Sequence, residues 1–195
     1  MKKIYAFDFD GTLTTKDTLL EFIRFAKGTL AFGLGFMRYA HLLVLMKLGL
    51  YPNWKAKQKV FAYFFGGMTI EDFDAICQEF AASSRHLLRP KGIEAINQAL
   101  SEGSEVLIVS ASIDNWVQPF FAQVKVLGTQ IEVKNGKLTG RFLSKNCYGQ
   151  EKVNRILALY PNRQDYHLTA FGDSNGDKEL LAWADESHYK PFREV

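Results

Sequence analysis

The first eleven residues constrain the fold more than any other stretch. Lys3 to Phe9 is apolar and aromatic enough for a buried strand, yet it runs into Asp8-Phe9-Asp10 and then Gly11. A buried carboxylate is costly unless it is paired or holds a metal. The interior of an open parallel sheet resolves the conflict, because its strands are buried along their length and their carboxyl ends meet at one crevice. After Pro90 the chain alternates as such a sheet requires. The pattern predicts a helix near Gly92–Leu100, a strand at Glu105–Ser110, a short helix near Asn115–Gln123 and a strand at Lys125–Val133. Asn135-Gly136, inside Ile131–Phe142, is a hairpin turn signal. A helix over Gln150–Tyr160, a strand over His167–Phe171 ending at Gly172-Asp173, and a helix over Lys178–Trp183 complete the alternation.

Between the first strand and Pro90 the pattern is helical throughout. Leu19, Leu20, Phe22, Ile23, Phe25 and Ala26 fall at helical spacing, and Thr69 with Asp72 marks another helix start. The expected architecture is therefore α/β, a doubly wound and mostly parallel sheet formed by residues 1–14 and 86–195. A small helical cap, residues 15–85, is inserted after the first strand.

With 47% hydrophobic and 23% charged residues, the chain is not of the disordered class. Cys77 and Cys147 form neither a disulfide framework nor a zinc spacing, which fits a reducing compartment. The N-terminus reaches Asp8 before an apolar leader could form, so the expected location is the cytoplasm. A net charge of +3 gives no case for nucleic acid. The charge is nevertheless uneven: between Phe22 and Ile70 there are seven basic residues and no acidic one.

Three predicted strand ends carry polar residues: Asp8 with Asp10, Ser110, and Asp173. An aspartate can attack phosphorus to form an acyl-phosphate, and a second acid can then manage the protons. Asp8, Asp10, Asp173 and Asp177 would repel one another and a phosphate, which calls for a cation. Mg²⁺ suits an all-oxygen site of this kind. Lys152 would add positive charge at a helix start. Ser110 and the backbone of the Ser110-Ala111-Ser112 turn would hold phosphate oxygens. Taken singly, each has a plain structural reading: a surface turn, a helix cap, a solvated lysine. Together and in this order they favour phosphoryl transfer.

Asp8-Phe9-Asp10-Gly11-Thr12-Leu13-Thr14 resembles the first motif of the haloacid dehalogenase-like superfamily. Val109-Ser110-Ala111-Ser112 resembles its second motif, Lys152 its third, and Gly172-Asp173-Ser174-Asn175-Gly176-Asp177 its fourth. The resemblance implies a Rossmann-like core and a Mg²⁺-dependent phosphatase with Asp8 as nucleophile and Asp10 as acid/base. It further implies that Asp8, Asp173 and the Asp10 carbonyl hold the metal, supported by Asp177, while Ser110, Ala111 and Lys152 bind the substrate phosphate. The position of the helical insert is similar to the phosphoserine-phosphatase-like branch. There Asp17 stands where a glutamate meets the substrate amine, Lys59 lies near an arginine for the carboxylate, and Gly176 replaces an asparagine. These departures point away from phosphoserine itself.

The apolar runs Gly28–Met37 and Tyr39–Met46, separated by Arg38, have two readings. One is a pair of cap helices packed on each other. The other is a cap lying peripherally on an anionic membrane, where each Lys or Arg gains about 1 kcal/mol. The expected partner is accordingly a small-molecule or lipid phosphomonoester. Rival readings are a phosphotransferase or mutase, a phosphorylatable signalling domain, and a non-catalytic lipid-binding module.

Overall fold

A computed structural model describes residues 1–193. Among these, the chain runs β1 (Lys2–Phe7), α1 (Thr18–Lys47), α2 (Asn53–Phe65), α3 (Ile70–Ser83), α4 (Pro90–Ser101), β2 (Glu105–Ile113), α5 (Asp114–Val117) and β3 (Lys125–Thr129). It continues through β4 (Ile131–Lys134), β5 (Lys137–Phe142), α6 (Gln150–Leu159), β6 (Tyr166–Gly172), α7 (Lys178–Trp183) and β7 (Glu186–Tyr189). Five strands form one parallel sheet in the order β3-β2-β1-β6-β7. The strand order reverses direction at β1, which puts the ligand crevice of a doubly wound sheet at the end of that strand.

The central strands β1, β2 and β6 are buried on both faces. Ile4 and Ala6 of β1 pack with Leu107, Val109, Leu168 and Ala170 beneath α6 and α7. Phe7 points the other way, where it stacks on Phe171 with ring centroids 4.3 Å apart. Helix α4 starts with Pro90, whose missing N–H costs nothing in the first turn, and it buries Gly92, Ile96 and Ala99 on one face.

The helical cap-like region rises from the end of β1. Asp17 caps α1, accepting from the Leu19 and Leu20 amides at 3.0 and 3.4 Å. The first turns of α1 drive Phe22 into an aromatic cluster with Phe65, Phe73, Phe80 and Trp116, where it stacks on Trp116 at 4.9 Å. Trp116 belongs to α5 of the core, so the cluster fastens cap to sheet. Truncating one such buried ring costs about 3–5 kcal/mol. Thr69 starts α3 as expected, accepting from the Asp72 amide at 3.2 Å.

The fold departs from the sequence reading in five places. The strand expected to end at Ser110 runs on to Ile113, so Ser110, Ala111 and Ser112 lie within β2 and form no turn. The strand expected over Lys125–Val133 divides at Gln130: β3 stays in the sheet, while β4 leaves it and pairs with β5 across Asn135-Gly136. The helix expected near Asn115–Gln123 is only α5 and a 3₁₀ turn over Gln118–Phe120, because Pro119 has no amide to extend it. Strand β7 was not anticipated; it is a short edge strand, mostly exposed, and lacks apolar alternation. Finally, the two apolar runs are not two helices packed on one another. They form one continuous outer arm of α1 that packs on α2, and the break lies earlier, at Gly28 (φ 78°, ψ 163°).

Candidate active site

Asp8 emerges where β1 ends, and its amide donates to the Phe171 carbonyl of β6 at 2.9 Å. Its side chain is buried and held from two sides. Oδ1 accepts from Lys152 Nζ at 2.6 Å, and Oδ2 from Thr12 Oγ1 at 2.9 Å. Lys152, in the first turn of α6, is 1% exposed and bridges Asp8 to Asp177. Asp177 is fully buried; its second oxygen accepts from the Asp173 and Ser174 amides and from Ser174 Oγ. This reciprocal cap with Ser174 fixes the turn after β6.

Burial pushes the Asp8 carboxyl up to about 7, with Lys152 opposing and Asp177 adding to the rise. Burial works against the Lys152 charge as well, but Asp8 and Asp177 outweigh it and hold the ammonium above its ordinary value. For Asp177 burial raises, and Lys152 and Ser174 more than compensate, leaving the carboxyl below its ordinary value.

Carboxylate oxygens of Asp8, Asp173 and Asp177 lie within 4.8 Å of one another. Lys152 neutralises one of these acids, and Arg193 donates to Asp173 Oδ2 at 2.6 Å. Asp173 Oδ1 is buried and has no hydrogen-bond partner among the described residues. An orphaned buried carboxylate oxygen among hard donors fits a divalent cation such as Mg²⁺. Gly11 permits the crowding: its φ is +82°, and a Cβ there would stand 2.4 Å from Asp173 Oδ2.

Asp10 points to the cap instead. Oδ1 accepts from the Thr18 amide at 2.7 Å and from Thr18 Oγ1 at 2.6 Å, while Oδ2 accepts from Ser112 Oγ. Trp116 Nε1 donates to Thr18 Oγ1 at 3.3 Å, tying this network to the aromatic cluster. Ser110 is buried in the crevice; its Oγ accepts from the Ser112 amide at 3.0 Å, which leaves the hydroxyl hydrogen to donate into the cleft. Ala111 lines the same wall. The cleft enclosed by these groups has a volume of about 650 Å³, and Asp8, Asp10, Ser110, Ala111, Lys152 and Asp173 all line it.

Of the two cap residues singled out from sequence, Asp17 lines the cleft and Lys59 does not. Lys59 is exposed and lies over the Tyr51 ring at 5.9 Å. The cleft-facing positions of α2 are Asn53, Ala56, Lys57 and Val60, a helical i, i+3, i+4, i+7 face; Lys59 falls outside it. The cation that sequence reasoning missed is Lys57. Its Nζ donates to the Ala111 carbonyl at 2.9 Å. Burial lowers the Lys57 ammonium below its ordinary value, against the pull of Asp10 and Asp17. Burial likewise raises Asp17, with Asp10 adding and Lys57 opposing. The α2 helical face was the signal that would have selected Lys57.

A family model for haloacid dehalogenase-like hydrolases matches residues 5–182. The chain belongs to the haloacid dehalogenase-like hydrolase family. Within that family it is 33% identical to protein CicA of Caulobacter vibrioides over 196 residues, covering 97% of this chain and 86% of CicA. A protein of unknown function from Bordetella pertussis Tohama I has the same fold at TM-score 0.82 and 19% identity, over 96% of this chain and 89% of that one. Phosphoserine phosphatase with substrate bound aligns at TM-score 0.63 and 21% identity, over 97% and 86% of the two chains. The expected α/β fold and membership of the haloacid dehalogenase-like hydrolases are thereby borne out, and the fold is one that phosphoserine phosphatase shares.

Proposed function

We propose that this hydrolase is a Mg²⁺-dependent phosphomonoesterase working through an aspartyl-phosphate on Asp8. The observation that carries the reading is the placing of a buried, oriented Asp8 between Lys152 and the orphaned oxygen of Asp173. Asp8, Asp173 and the backbone carbonyl of Asp10 would hold the ion, with Asp177 behind them. Bound there, Mg²⁺ supplies positive charge to the phosphate oxygens.

The chain's own residues do the rest. Lys152 and Thr12 keep the Asp8 carboxylate at one angle, so attack on phosphorus needs little reorganisation. Ser110 and the Ala111 amide receive the remaining phosphate oxygens. Asp10 protonates the departing alkoxide and then takes a proton from the water that cleaves the acyl-phosphate. Thr18 and Ser112 orient it for both steps. The cap, residues 15–85 by this reading, limits water at the intermediate. Asp17 and Lys57 form a polar wall that selects the alcohol portion of the substrate. A soluble phosphorylated metabolite and a phospholipid phosphate at a cytoplasmic membrane surface both suit that chemistry. Transfer to a second hydroxyl, as in a mutase, would use the same phosphoenzyme; release of free phosphate separates the two.

The test is Asp8→Asn assayed on an aryl phosphate with Mg²⁺. An amide cannot form the acyl-phosphate, so turnover should fall by at least about a thousandfold with circular dichroism unchanged. A folded variant that keeps turnover within tenfold of the parent would remove Asp8 from the nucleophile role.

A further inference from the structure

The outer arm of α1, residues 29–47, is apolar on both faces. Its inner face meets α2 through Phe36 on Phe64 and Tyr39 on Tyr63, and Phe36, Leu43 and Met46 also form one wall of the cleft. Its outer face carries Leu30, Leu34, Met37, Val44, Leu45 and Leu48, a spacing that falls on a single helical stripe. Leu30 is 80% exposed, Met37 73% and Leu48 65%. Beyond the helix the stripe continues into Leu50, exposed by 72%, and Trp54. A helix packed on one side only normally turns polar residues outward, and one that is apolar all round is normally buried. Here just 6% of the most apolar stretch is buried, so it is not a core helix.

The charges choose the occupant. From Phe22 to Ile70 there are seven basic residues and no acidic one, and Arg38 and Lys55 stand exposed beside the stripe. A second copy docking on this face about a two-fold axis would press two uncompensated basic segments together. An anionic lipid surface takes both the apolar stripe and the flanking cations. The arm has no means of crossing the bilayer, because its inner face is occupied by α2 and Arg38 lies at its middle.

We propose that this stripe lies in the headgroup layer of an anionic membrane and delivers a phospholipid phosphate to the cleft behind it, a step that rests on the phosphomonoesterase reading of that cleft. One helix then separates bilayer from site. Its outer face engages lipid, and its inner residues Phe36, Leu43 and Met46, with Leu20 and Val60, give acyl-proximal parts of the substrate an apolar wall.

The experiment compares the parent with a Leu34→Glu, Met37→Glu double variant, both positions being exposed and outside the cleft. Co-sedimentation uses phosphatidylcholine vesicles with and without about one-third phosphatidylglycerol, in about 0.1 M salt. The parent should pellet with the anionic vesicles alone, and the variant should lose at least about tenfold in partitioning. Both should turn over a soluble aryl phosphate equally, while the variant loses hydrolysis of phosphatidic acid presented in vesicles. Equal pelleting of the parent with both vesicles, or undiminished pelleting of the variant, overturns the proposal. So does a concentration-dependent dimer, broken by the same substitutions, with no vesicle binding. Vesicle binding lost in the variant, with no turnover of either substrate by either protein, would keep the docking face and overturn the phosphatase reading instead.

Discussion

Lys152 and Asp177 form a buried ion pair on which both the local stability and the proposed chemistry depend. Lys152 is buried with two acids, and Asp177 spends all its accepting capacity on that lysine and on the turn after β6. Asp177→Ala leaves Lys152 paired with Asp8 but strips the Asp173 and Ser174 amides of their acceptor, so it should cost about 1–3 kcal/mol in denaturant unfolding at neutral pH. The pH dependence follows from the lowered Asp177 carboxyl. A depressed folded value means the stabilisation is present above the ordinary carboxylate value of 3.8 and is lost as pH falls through the lower folded one. The variant should therefore show a shallower acid limb than the parent; parallel curves would mean the pair adds nothing. At this scale the sequence was legible where a strand end carried the residue, as for Asp8 and Asp173, and for Ser110, which lies within β2 but faces the same crevice. It was not legible where the partner comes from elsewhere in the fold. Thr18 and Ser112 on Asp10, Arg193 on Asp173, and Lys57 in place of Lys59 all depend on how helices and turns face one another, which no spacing along the chain records.

Among the elements, α1 is where local geometry has the widest consequence. Its first turns are anchored by Phe22 and Ile23 in the core, and its outer arm carries the exposed stripe. Gly28 joins the two at φ 78° and ψ 163°, a region open essentially to glycine alone. Nothing crowds the position, so the cost of a side chain there is backbone strain and not a clash. Gly28→Ala should destabilise by about 1–3 kcal/mol, read from the denaturation midpoint. No loss of stability would mean that the break is not a fixed feature of the arm. The break was invisible beforehand because apolar residues lie on both sides of it and a lone glycine does not by itself end a helix. Edge strand β7 was missed for the opposite reason, since an exposed edge needs no apolar alternation. The long buried strands and amphipathic helices, whose periods are set by two-sided or one-sided burial, were the elements that could be read.

Across the whole molecule, one chain reversal at β1 brings distant segments to a single point. Asp8 leaves β1, Ser110 sits within β2, Asp173 follows β6, and Lys152 arrives from α6 across 144 residues of sequence. The cap closes over them, and its inner wall is the back of the proposed lipid-facing helix. This convergence has value for catalysis only if phosphate and cation meet at Asp8. Beryllium fluoride with Mg²⁺ mimics an aspartyl-phosphate and asks that question without turnover. A crystal soaked with both should show the fluoride on Asp8, with Lys152 and Ser110 against it and the ion between Asp8 and Asp173. Fluoride absent from Asp8, or seated elsewhere in the chain while the crystal holds Mg²⁺, would contradict the account at its centre.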